Sequence, residues 1–133
     1  MNRYVFDSYA LLAFLEDEPG AAQVEKALRE VMGGKAEGWL SIINWGEIYY
    51  TAMREQGEKT AEKVVALLAQ YPMRLVEADQ PLTREAARFK ARFRIAYADC
   101  FAAALAKRHK ATVLTGDPEF RQVEKEVKVL WLA

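Results

Sequence analysis

Short apolar runs alternate along the chain with longer stretches whose apolar residues recur at helical spacing. The runs read as strands: Tyr4 to Phe6, Trp39 to Ser41, Arg74 to Glu77, Thr112 to Thr115 and Val127 to Leu132. Thr112 to Thr115 is the best defined, because it is β-branched and closed by Gly116. The intervals read as helices. Ala10 to Leu15 opens the first, and a second runs from Pro19, suited to a first turn, to Met32 before Gly33-Gly34. Ser41 is placed to cap a helix from Ile42 to Gln56, with Gly57 as its stop. Further helices are expected over Thr60 to Ala69, Pro81 to Arg94, Asp99 to His109 and Pro118 to Glu126.

Strands that alternate with helices predict a parallel sheet covered on both faces. The expected fold is α/β, with no repeat, linker or low-complexity tract. A length of 133 residues suits one domain spanning 1–133 and permits a sizeable core. Composition is that of a soluble globular chain, 52% hydrophobic and 29% charged. No apolar stretch has the ~20 residues of a membrane span. Met1-Asn2-Arg3 leads straight into Tyr4-Val5-Phe6-Asp7 without an apolar leader. The single cysteine, Cys100, excludes a disulfide framework and a cysteine zinc site. Together these features predict a cytoplasmic protein.

Charge changes the picture only locally. The 19 basic and 19 acidic side chains cancel, so the total does not advertise nucleic-acid binding. Arg84, Arg88, Lys90, Arg92 and Arg94 nevertheless crowd one segment against a single acid, Glu85. Such a cluster is more often a solvated helix face than a binding site.

Four acids stand in or beside apolar runs. Bare carboxylates rarely enter a core, because leaving water costs several kcal/mol or forces protonation. Asp7 ends the first strand, and Asp117 follows the fourth across Gly116, a residue that permits a tight turn. In parallel sheets, ligands bind beyond the carboxyl ends of strands. Glu47 shares a helix face with Ile43 and Tyr50. Asp99 shares one with Ala102, Ala103 and Ala106, small residues that let a helix approach the sheet closely. Three of the four have an ordinary alternative: Asp99 and Asp117 as helix caps, Glu47 as a cap or salt-bridge partner. If all four converge, hard oxygen donors of this kind suit Mg²⁺ or Mn²⁺, as one ion or as a pair.

Other chemistries lack their residues. His109, the only histidine, lies near a helix end where a solvated or capping role is expected. Neither a nucleophile elbow nor a phosphate-binding glycine loop is present.

Four segments in series resemble PIN-domain ribonucleases, most closely the VapC toxins of prokaryotic toxin–antitoxin pairs. They are Asp7-Ser8, Asn44-Trp45-Gly46-Glu47-Ile48-Tyr49-Tyr50, Ala98-Asp99-Cys100 through Ala106, and Leu114-Thr115-Gly116-Asp117-Pro118-Glu119-Phe120. The family's acidic quartet falls on Asp7, Glu47, Asp99 and Asp117, and its hydroxyl residue on Thr115. The resemblance implies a three-layer α/β/α sandwich with a mainly parallel sheet of four to five strands. It also implies Mg²⁺ or Mn²⁺ as cofactor, RNA as substrate, a homodimer and a cognate antitoxin.

On that basis the expectation is a metal-dependent endoribonuclease that cleaves phosphodiesters with a metal-activated water. Asp7, Glu47, Asp99 and Asp117 are the metal ligands, and Ser8 and Thr115 support them. Arg84, Arg88, Arg92 and Arg94 contact RNA or the antitoxin. Two alternatives stay open: a non-catalytic RNA- or partner-binding module, and a haloacid-dehalogenase-like phosphatase with Asp7 as nucleophile. The phosphatase calls for a second aspartate where Tyr9 stands.

Overall fold

The computed structural model describes residues 1–132. Its strands are β1 (Asn2–Phe6), β2 (Ala36–Ser41), β3 (Arg74–Val76), β4 (Thr112–Thr115) and β5 (Lys128–Trp131). Its helices are α1 (Ser8–Leu15), α2 (Ala21–Met32), α3 (Ile42–Gln56), α4 (Glu58–Leu68), α5 (Gln80–Arg92) and α6 (Tyr97–His109), with a 3₁₀ turn over Pro118–Val123. The strands form one parallel sheet in the order β3-β2-β1-β4-β5. This is the expected three-layer α/β/α sandwich.

Period-two alternation divides the core between the two faces. Val5, Trp39 and Val113 point to one face, where they meet Phe89, Phe101 and the alanines of α6. Tyr4, Phe6, Leu40 and Leu114 point to the other and meet Leu11, Val24 and Leu28. Because β1 is central, Val5 and Phe6 are fully buried, and so is the residue that ends the strand, Asp7. Ala102 through Ala106 are 0–2% exposed, so α6 lies close on the sheet.

Several boundaries differ from expectation. β2 starts at Ala36, three residues early, and α4 starts at Glu58. Gly20 in the left-handed region caps α2, so Pro19 lies outside that helix. Asp99 does not open α6: Ala96 is the N-cap, without a side-chain hydrogen bond, and Asp99 lies within the first turn. A glutamate from elsewhere anchors this start, since Ala96 N–H donates to Glu119 at 3.2 Å. α5 stops at Arg92, where Phe93 turns extended and leaves Arg94 outside the helix. The last predicted helix is only the 3₁₀ turn. Lys110, not His109, is the C-cap of α6; His109 is half-buried, and its ring stacks on Trp39 with centroids 4.4 Å apart.

Candidate metal centre

The carboxyl edge of the sheet gathers the acids. Asp7 leaves β1 and caps α1, its Oδ1 accepting the Ala10 N–H at 2.8 Å. Asp117 leaves β4 and caps the 3₁₀ turn, its Oδ1 accepting the Glu119 N–H at 2.9 Å. In both, one oxygen fixes the carboxylate to the backbone and the other is left for different work. Asp7 Oδ2 is buried and meets no hydrogen-bond donor among the described residues. An unsatisfied buried carboxylate oxygen costs on the order of 1–3 kcal/mol or more. Protonation or a bound cation relieves that cost.

The remaining acids arrive on helices. Asp99, 7% exposed, faces Asp117 from the first turn of α6. Oxygens of Asp99, Asp117 and Glu119 lie within 4.8 Å of one another. Half-buried Glu47 comes from α3. Its Oε1 accepts from Ser8 Oγ at 2.8 Å and from Asn44 Nδ2 at 3.1 Å. Asn44 also donates to the Ala98 carbonyl at 3.3 Å, which ties α3 to the start of α6 beside Asp99.

The electrostatics confirm that the group is crowded. Burial pushes the Asp7 carboxyl up to about 7; hydrogen bonding from Thr115 and Ala10 opposes the rise, and the charges of Asp117 and Glu47 add to it. Burial also pushes Asp99 up to about 8, aided by Asp117, Asp7 and Glu47. Asp7 and Asp99 therefore feel the charges of Asp117 and Glu47, as like charges in one pocket do. The donor set is entirely hard oxygen, and the orphaned Asp7 Oδ2 lies within it. These residues fit a divalent cation such as Mg²⁺ or Mn²⁺.

Comparison with known families then decides the relationship. A family profile described as the PIN domain matches residues 4–126. The chain belongs to the PIN domain family. None of the curated proteins compared with it matches. Among solved structures, VapBC2 from Rickettsia felis bound to a promoter DNA fragment is similar at 13% identity and TM-score 0.79, covering 98% of this chain and 99% of that one. VapC20 from Mycobacterium tuberculosis, described as a sarcin–ricin loop cleaving toxin, is similar at 14% identity and TM-score 0.71, covering 90% and 94%. FitAcB from Neisseria gonorrhoeae is similar at 22% identity and TM-score 0.69, covering 96% of both chains. Identities this low speak for the fold alone. Membership of the PIN domain family displaces the phosphatase reading of Asp7.

In this PIN domain, two polar residues of the site escaped the sequence reading. Glu119 joins the oxygen cluster, and its signal was its position two residues beyond Asp117. Asn44 is fully buried, and its signal was its place one helical turn before Glu47. Gly116 has a different reason from the one expected. It is not among the glycines with positive φ, and its need is space: a Cβ there would lie 2.3 Å from the Tyr9 ring.

The arginines do not reach this pocket as a group. Arg88 and Arg92 line a groove of about 530 Å³ between α5 and α6, with Lys107 and Arg108. Arg92 is held there by Glu126 through bonds of 2.7 and 2.9 Å. Arg84 is exposed on α5, and the backbone of Arg94 pairs with Gln122.

Proposed function

We propose that this PIN domain is a metal-dependent endoribonuclease and the toxin of a type II toxin–antitoxin pair. The observation that carries the reading is the buried Asp7 Oδ2, without a donor among the described residues, on a carboxyl that feels the charges of Asp117 and Glu47. Asp7, Asp99 and Asp117 would hold Mg²⁺ or Mn²⁺, with Glu47 and Glu119 completing the acidic wall. When bound, such an ion lowers the pKa of a water and offsets the charge that builds on a phosphate under attack.

The chain's own residues do the rest. The N-cap bonds of Asp7 and Asp117 each hold one oxygen and leave the second for the ion. Thr115 holds the β4 end against Asp7. Ser8 and Asn44 fix Glu47. Asp99, pushed up to about 8, holds a proton near neutral pH that a bound cation would have to displace. No histidine takes part, in keeping with the stacked, remote position of His109.

RNA as substrate is supported by the resemblance to PIN-domain ribonucleases and by the neighbour described as cleaving the sarcin–ricin loop. A cognate antitoxin is supported by neighbours solved as toxin–antitoxin complexes. A homodimer and a cytoplasmic location belong to the same reading; no helix among the described residues is long and apolar enough to cross a membrane. The test is incubation of RNA with the purified protein and Mg²⁺ or Mn²⁺. Ion-dependent cleavage that Asp99→Asn abolishes is the expected result. Cleavage unchanged by chelator or by that substitution would sink the reading, and tight RNA binding with no cleavage under any metal would favour the binding module.

A further inference from the structure

Tyr9 is two residues beyond Asp7 on α1, and its neighbours Ala10 and Leu11 are fully buried. Tyr9 itself is 46% exposed. Its ring is nonetheless seated. The Cε1, Cζ and Oη atoms occupy the space above Gly116 that any larger residue would fill, at 2.3, 2.5 and 2.8 Å from an ideal Cβ. Gly116 stands between Thr115 and Asp117. The ring therefore bridges from α1 to the turn that carries Asp117, beside the acidic pocket. The hydroxyl end of the ring rests over the glycine, while nearly half of the residue stays open to solvent. No hydrogen bond or ring contact within the protein engages Tyr9 among the described residues.

We propose that Tyr9 is a stacking platform for an unpaired nucleobase next to the scissile phosphate. This inference rests on the ribonuclease reading and deepens it, by assigning a binding residue and a substrate form. Long-range attraction is weak in a chain of zero net charge. Arg92 and Arg108 are already paired with Glu126 and Glu85. Short-range contacts must then supply more of the affinity, and base–aromatic stacking does so regardless of sequence. A ring fixed against a backbone loses little freedom when a base lands on it. In a duplex the bases already stack on each other, so Tyr9 selects RNA segments whose bases are splayed out.

The experiment uses a short unpaired RNA in which fluorescent aminopurine replaces adenine at successive positions. It is mixed with the full chain carrying Asp99→Asn, so that binding is read without cleavage. The expected result is quenching at one position, kept by Tyr9→Phe. In Tyr9→Leu, whose side chain ends short of the seat over Gly116, quenching is lost and binding weakens roughly tenfold, the effect of one lost stacking contact. In the cleaving protein, Tyr9→Leu raises KM with little change in kcat. Equal quenching and affinity in Tyr9→Leu would overturn the platform while leaving the nuclease intact. Failure of the parent protein both to bind and, with Asp99 restored, to cut RNA would overturn the nuclease reading and the platform with it. A melting temperature shared by the Phe and Leu variants separates lost stacking from lost folding.

Discussion

Thr115 Oγ1 accepts the backbone N–H of Asp117 at 3.0 Å, and the same side chain opposes the upward shift of the Asp7 carboxyl. One fully buried side chain thus joins two strand ends, fixing the backbone at Asp117 and tuning the carboxyl of Asp7. Thr115→Val keeps the shape and removes both effects. The Asp117 amide then lacks its partner, at a cost of about 1–3 kcal/mol. Asp7 titrates higher still, so an ion must compete harder with its proton. Affinity for Mn²⁺ is expected to fall about 10–100-fold, as for other residues that orient ligands. Calorimetric titration of Mn²⁺ into both proteins checks this, and unchanged affinity would remove Thr115 from the site.

The raised carboxyls make a signed prediction about stability. Asp7 and Asp99 rise from 3.8 to about 7 and about 8 in the folded chain. Between roughly pH 4 and 8 the folded state holds protons that the unfolded state has released, so metal-free stability falls as pH rises through that window. Asp7→Asn keeps the α1 cap and removes the buried charge. In chelator near pH 8.5 it is expected to stabilise by about 1–4 kcal/mol, a gain that vanishes below about pH 4. With ion about a hundredfold above its Kd, wild type gains roughly 2.7 kcal/mol from binding, so the advantage of Asp7→Asn is expected to shrink by about that much. Thermal melts across pH with and without Mg²⁺ measure both, and destabilisation by Asp7→Asn in chelator would contradict a buried, unpaired carboxylate.

The same contrast explains what could be read from the residues alone. Strand positions were legible because β1, β2 and β4 alternate strictly between two covered faces. Asp7 and Asp117 were legible because strand ends are marked by where an apolar run stops. Asp99 was placed on the correct face of α6 but at the wrong position in it. Ala96 gives no capping signal of its own, and its anchor, Glu119, is 23 residues away. The membership of Glu119 in the cluster was hidden for the same reason: it depends on how the 3₁₀ turn folds back on α6. The partnering of Arg92 by Glu126 is likewise a tertiary fact that no local pattern encodes.

Ser8 and Asn44 reach the same oxygen of Glu47, from α1 and from α3 respectively. Either donor alone can hold the carboxylate, and without both it is free to rotate toward solvent. Ser8→Ala and Asn44→Ala are each expected to lower Mn²⁺ affinity only severalfold. The double variant is expected to lose more than the sum of the two, with a coupling of about 0.5–3 kcal/mol. A double-mutant cycle of Mn²⁺ affinities measures this term. Strictly additive losses would show that the two side chains act by separate routes.

Gly116→Ala tests the seat of Tyr9 without touching the tyrosine. The new Cβ would fall 2.3 Å from the ring, so one of them must move. Backbone is costly to displace here, since β4 pairs with both β1 and β5. The tyrosine is the soft partner: its colliding atoms are the far end of a half-exposed side chain, and a rotamer change swings them into water. Folding stability is therefore expected to drop by no more than about 1 kcal/mol, within the usual range for single substitutions. The ring, however, leaves the edge of the acidic pocket. KM for an unpaired RNA is expected to rise as in Tyr9→Leu, and adding Tyr9→Leu to Gly116→Ala is expected to change little further. Steady-state kinetics of the three variants decide the matter, because a full additional loss in the double variant would mean that the ring had acted from somewhere other than its seat on the glycine.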